Sequence, residues 1–251
     1  MTIPGLIRRG FAVVFAATAT MGIAAAQPGG AYRNVEPIPL PLDRSGVWTL
    51  HFAYTPPRIL QVDTPKGKKT VWYMVYQVWN KSDTPQQFVP EFELVTKDGK
   101  LQSFLDEPYP GIVKTIRAIE DPTGALKLQT TVGIAGEKIP VTKVDSVARA
   151  ITGVAVWLDA PDKAAVSNNF SVYVTGLSNG VAVEEKDGAP EKISRKTLQV
   201  DFTRPTDNNR PMADDIQPND NGGKGAARWF YRAVPAAAPA TPPPAAGAEK
   251  K

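Results

Sequence analysis

Gly176-Leu-Ser178-Asn-Gly180 has the G-x-S-x-G spacing that, in α/β-hydrolases, holds a nucleophilic serine on a strained strand-to-helix turn. That chemistry needs an acid and then a histidine later in the chain, and the only histidine, His51, lies far upstream. Val181 to Glu185 alternate like a strand rather than opening a helix. Ser178-Asn-Gly180 therefore reads as a hairpin turn, and a hydrolase is the weakest of three functional readings. His51 stands alone on the lighter face of its strand and, with no cysteine in the chain, cannot build a His/Cys metal site; it reads as a surface residue. Asp207-Asn-Asn209, Asp214-Asp215 and Asn219-Asp-Asn221 offer oxygen ligands, which makes calcium the one cofactor to consider. Without EF-hand spacing they read as a solvated loop. The carboxylate pairs Asp106-Glu107 and Glu184-Glu185 would point to opposite faces of a strand, not across a glycosidic bond. There is no phosphate loop or dinucleotide fingerprint, so no catalytic, cofactor or metal residue is assigned.

The stretch best suited to recognition is Arg228-Trp229-Phe230-Tyr231-Arg232. In an extended chain Trp229 and Tyr231 take one side, and Phe230 takes the other with Arg228 and Arg232. Contiguous aromatics cannot all be buried on one face, so at least one is expected to be exposed, offering either Phe230 between two arginines or a flat Trp229/Tyr231 pair. Either suits a partner protein or an envelope polysaccharide. The competing reading is a plain closing edge strand. Trp48, Trp72, Trp79 and Trp157 sit in strand patterns and read as core rather than as a sugar platform.

The elements that must position these residues are strands. From Val71 to Trp79 one parity gives Trp72, Met74, Tyr76 and Val78, the other Val71, Tyr73, Val75 and Trp79, so this is a central strand buried on both sides. Residues 87 to 96 alternate, with Phe88, Phe92 and Leu94 opposite Glu91 and Glu93. They are expected to pair with the central strand through the turn at Lys81 to Pro85. Further strands are expected from Gly46 to Tyr54, near 59–62, from Leu101 after the Asp98-Gly99 turn, and over 126–134, 151–158, 170–175, 181–185 and 198–202. Ile112, Ile116 and Ile119 have helical spacing, and Val144, Val147 and Ala148 suit a second short turn. Nine or ten short strands with one or two short helices describe an all-β fold, an immunoglobulin-like Greek-key β-sandwich.

Residues 1–26 carry Arg8 and Arg9, an apolar run from Phe11 to Ile23 and then Ala24-Ala25-Ala26, the order of a secretory signal peptide cleaved before Gln27. Arg8-Arg9 leaves the general and twin-arginine export routes both open. Cleavage removes two of the 29 basic residues, leaving 27 against 25 acidic and a net charge of +2, which argues against a nucleic-acid partner. No membrane span is expected after cleavage, and the protein is expected to be secreted or periplasmic. The remaining divisions are a Pro/Gly-rich lead (27–45) that is a linker or an edge-hugging arm, the sandwich (46–205), a polar loop with the terminal aromatic segment (206–232), and an Ala/Pro tail (233–251) too poor in apolar surface to fold.

The strand 72–80, Phe88-Val-Pro-Glu-Phe-Glu-Leu94, Gly153-Val-Ala-Val-Trp157 and Gly176 to Gly180 together resemble a group of uncharacterised secreted β-rich proteins of planctomycete-type bacteria. The resemblance spans about residues 46 to 185 and implies export and a β-rich fold, with no activity attached. The leading functional expectation is an exported, non-enzymatic interaction or structural module of the cell envelope. A carbohydrate-binding module using exposed aromatics is the alternative. Oligomeric state stays open.

Overall fold

A computed structural model describes residues 31–64, 67–99, 101–143, 150–158, 160, 167–186, 189–204 and 216–234. The expected signal peptide, the helical turn at Val144 to Ala148, the oxygen-rich stretch 207–215 and the tail from residue 235 lie outside the described residues. Along the described chain run β1 (Arg33–Val35), β2 (His51–Tyr54), β3 (Arg58–Thr64), β4 (Gly67–Trp79), β5 (Gln86–Gln87), β6 (Glu91–Thr96), β7 (Ser103–Leu105), α1 (Pro110–Glu120), β8 (Gln129–Thr130), α2 (Thr131–Ala135), β9 (Lys138–Ile139), β10 (Ile151–Trp157), β11 (Asn169–Thr175), β12 (Val181–Lys186), β13 (Ala189–Thr203), β14 (Gln217–Pro218) and β15 (Ala227–Ala233). The strands outnumber the nine or ten expected because several are pieces of two or three residues.

Each of the two main sheets is built on one long strand. In the first, β4 pairs with β10 along one edge, while β2 and then β3 share the other. Pro56-Pro57 breaks what would otherwise be a single partner, since proline cannot donate to the ladder. In the second, residues 198–200 of β13 pair with both β11 and β15, and 194–195 with both β12 and β15. β11 and β12 therefore lie end to end on one edge of β13, with β14 and β15 on the other. β6 follows β11, and β7 follows β6.

The sheets face one another across an aromatic core. Tyr76 meets Phe92 with ring centroids 4.5 Å apart, Trp72 meets Phe170 at 5.2 Å and Tyr54 meets Phe202 at 5.8 Å. The all-β sandwich expected from the sequence is thus the observed architecture. β4 is buried on both sides as expected. Trp72, Met74, Tyr76 and Val78 enter the sandwich core, and Val71, Tyr73 and Val75 pack under α1 through Ile112, Val113 and Ile116. Pro110 opens that helix, where its missing N–H costs nothing. Glu120 at the other end accepts hydrogen bonds from Tyr73 (2.6 Å) and Arg58 (2.5 Å), fastening the helix to β3 and β4.

Several expectations need correction. β6 does not pair with β4: it lies in the opposite sheet, and its Phe92 and Leu94 meet β4 through the core. The strand expected over 126–134 shrinks to Gln129–Thr130, because Asp121 accepts from the N–H groups of Leu126 and Leu128 and Thr130 caps α2 by accepting from Gly133 N–H. The strand expected from Gly46 starts at His51. Gly176 to Gly180 is no hairpin but an insertion between two collinear strands. Gly176 has φ +86°, and a Cβ there would lie 2.1 Å from the Val89 carbonyl oxygen, so only glycine fits.

Candidate functional site

The outer face of the first sheet is covered by α1; on that of the second no helix lies among the described residues. Strand register brings Glu93, Tyr173, Gln199 and Arg228 into one row across β6, β11, β13 and β15, with Val95, Ser171 and Asp201 in the next. At the Asp201 end the carboxylate is 4% exposed and fully engaged. Lys97 Nζ (2.8 Å), Ser171 Oγ (2.6 Å), Gln199 Nε2 (2.6 Å) and Asn221 Nδ2 (2.8 Å) all donate to it. Burial raises its pKa, but these donors outweigh burial and hold the carboxyl below the ordinary range.

In the middle of the face Phe230 meets Tyr173 edge-on at 6.2 Å, Arg228 lies over Phe230 at 5.6 Å and Arg232 over Tyr173 at 3.9 Å. Arg232 also donates to Glu93, which accepts from Ser103 as well. Burial pushes the Glu93 carboxyl up, and Arg232 and Ser103 more than reverse this. Beyond them the face sinks into a hollow of about 330 Å³ with Thr175 and Thr197 among its lining residues and Leu105 and Val234 as apolar walls.

The five residues singled out from the sequence divide as alternation requires. Arg228, Phe230 and Arg232 take the outer face. Trp229 and Tyr231 point inward, and the lead closes over them: Trp229 Nε1–H donates to the Glu36 carbonyl (2.9 Å) and Tyr231 O–H to Asp43 Oδ1 (2.9 Å). Lys196, only 2% exposed, pairs with Asp43 Oδ2 at 2.6 Å. The lead is therefore an arm held against the sandwich, and a flat Trp229/Tyr231 platform is not presented. Tyr173, Glu93 and the Thr175/Thr197 pair were missed in the sequence, where only their parity on separate strands could have marked them.

The other candidates resolve locally. Ser178 Oγ donates to the Trp48 carbonyl (2.5 Å) and accepts from Thr49 Oγ1 (3.2 Å) and Gly180 N–H (3.1 Å), tying the insertion to the chain before β2; a strand, not a helix, follows it. His51 is not a surface residue: its side chain is 12% exposed, stacks on Trp79 at 5.6 Å and places Nδ1 2.9 Å from Glu36 Oε2. Burial and nearby Lys81 push its pKa down. Glu184 pairs with Lys192 across the hairpin. Asp106 accepts from Val156 N–H (2.5 Å) and Thr131 Oγ1 (2.6 Å), and burial raises its pKa to about 6. Among the described residues no cluster of His, Asp or Glu is grouped to hold a metal ion, and no helix is long and apolar enough to cross a membrane.

No family model, curated protein or solved structure matches this chain. What the face can do is set by its own geometry: a charged and aromatic surface that ends in an amphipathic hollow, its two serine–carboxylate contacts, Ser171 with Asp201 and Ser103 with Glu93, each drawn into an ion pair with Lys97 or Arg232.

Proposed function

We propose that the chain is an exported, non-enzymatic β-sandwich acting as an interaction module of the cell envelope, and that it holds its partner on the outer face of the second sheet. Export is supported by the charge, apolar and small-residue order of residues 1–26 and by the resemblance to secreted β-rich proteins. The observation that carries the binding role is the hollow beside Leu105 and Val234, exposed apolar walls flanking Thr175, on a sheet face that no helix covers among the described residues. The surrounding ion pairs and ring contacts hold it in shape before any partner arrives, which lowers the ordering cost of binding.

The carbohydrate-binding alternative is supported less well. Arg228 and Arg232 already occupy faces of the Phe230 and Tyr173 rings on which a sugar would stack. The test is retention on isolated cell envelopes. Leu105→Glu and Thr175→Arg alter the hollow without touching the core, and each is expected to abolish retention at unchanged melting temperature. Retention equal to wild type in both variants would overturn the reading.

A further inference from the structure

The hairpin of β12 and β13 runs beyond the rest of its sheet. β6 ends its pairing at Glu91↔Thr175, so the outer edge of β12 meets no other strand among the described residues. A row of backbone N–H and C=O groups at strand spacing accepts one kind of occupant, an extended polypeptide. On the outer face of this hairpin Val181 (42% exposed), Val183 (38%) and Ile193 (46%) form an uncovered β-branched patch, followed along β12 by the exposed Glu185.

We infer that β12 pairs antiparallel with β12 of a second copy of this chain, about a two-fold axis at Val183. In that register Val183 faces its own counterpart, and Val181 faces Glu185 of the other copy. The two hairpins then join into one four-stranded ribbon, with both Val181, Val183 and Ile193 sets on a continuous surface. Charge selects the arrangement. Arg195 is the β13 neighbour of Val181, and its guanidinium has no partner among the described residues. Glu185 of the second copy enters the same row, so an opposite charge approaches Arg195 over the small valine. The open edge of the longer strand β15 fails the same test: self-pairing about Phe230 would set Arg228 against Arg232 of the second copy, like charges directly opposed. A two-fold pairing also closes on itself and leaves no further β12 edge to propagate a fibre. Of the residues placed in the β12 contact, only Arg195 lines the hollow, so this inference stands apart from the binding role above.

The chain contains no cysteine, which permits a register-specific test. Sedimentation velocity of the wild-type protein across a concentration series is expected to show a monomer–dimer equilibrium. Val183→Lys, a substitution at an exposed edge position, is expected to raise the dissociation constant at least about tenfold with circular dichroism and melting temperature unchanged. Under mild oxidation Val183→Cys is expected to give a disulfide-linked dimer, since directly opposed residues lie about 5 Å apart. Val181→Cys and Glu185→Cys are expected not to, since each stands about 13 Å along the strand from its counterpart. A wild-type protein that stays monomeric up to its solubility limit would overturn the inference. So would a dimer indifferent to Val183→Lys, or cross-linking at 181 or 185 as fast as at 183.

Discussion

Asp106 is the place where a pH experiment reads the fold most directly. Its carboxyl stands between the sheets, one oxygen accepting from Val156 N–H at the edge of β10 and the other from Thr131 Oγ1 at the start of α2. Burial raises its pKa from 3.8 to about 6, against the opposing pull of those two donors. A folded-state pKa above the unfolded value means that the native state favours the proton. The contribution to stability is then fully present below the unfolded pKa and is lost as pH rises through the folded one. At 1.36 kcal/mol per tenfold change, the loss between about pH 4 and pH 7 is about 3 kcal/mol, and about 2 kcal/mol once the partial exposure of the side chain is allowed for. Asp106→Asn should escape it: the amide oxygen still accepts from Val156 N–H, and the amide nitrogen donates to the Thr131 hydroxyl. Urea unfolding of both proteins at intervals from pH 4 to pH 8 should show the variant gaining about 2 kcal/mol on the wild type across that range, at equal slope. A constant difference, or a wild type that gains on the variant as pH rises, would refute the reasoning.

Gly176→Ala should cost about 3 kcal/mol or more in urea unfolding, because its Cβ overlaps the Val89 carbonyl and its backbone is left-handed. Ser178→Ala should cost about 1 kcal/mol of stability through its lost hydrogen bonds and leave any esterase turnover at the level of a buffer blank. Lys196→Ala leaves Asp43 partly buried beside Tyr231 without its cation. It should cost about 3 kcal/mol and open residues 36–44 to limited proteolysis, while the wild type resists cleavage there. Intact mass of exported protein should place the new N-terminus at Gln27.

Side-chain period made most of the strands legible. The doubly apolar run of β4 announced a strand with covers on both sides; the helical spacing of Ile112, Ile116 and Ile119 announced a helix but not its place over β4, where Ile112 and Ile116 pack and Ile119 stays exposed. Pairing was not legible, because alternation says which residues share a face but not which strand lies beside it. β6 follows β4 closely in sequence, and a hairpin was the natural reading, yet the chain crosses to the opposite sheet between them. The site was half legible for the same reason. Arg228, Phe230 and Arg232 could be assigned a common side from their own spacing. Tyr173 and Glu93 join them only through the register of β13 with β11 and β11 with β6. His51 misled because an apparently lighter face was in fact closed by the lead, whose Pro-rich composition carries no period at all.

That lead has a consequence for the order in which the molecule can be completed. Glu36 and Asp43 are among the first described residues to be synthesised, yet their partners Lys196, Trp229 and Tyr231 lie 153 to 193 positions later. A chain growing from its N-terminus therefore carries an arm whose dock does not yet exist, and β15, which supplies two of the three anchors, is the last strand of the described chain. Contacts of such long sequence separation form late and slow the final approach to the native state. Until the last strand is in place, the arm keeps the pairing of β1 with β2 but lacks the contacts of Glu36 and Asp43 with Trp229 and Tyr231. A nascent or truncated chain should thus remain open to proteases over residues 36–44, and should lose that vulnerability when β15 docks.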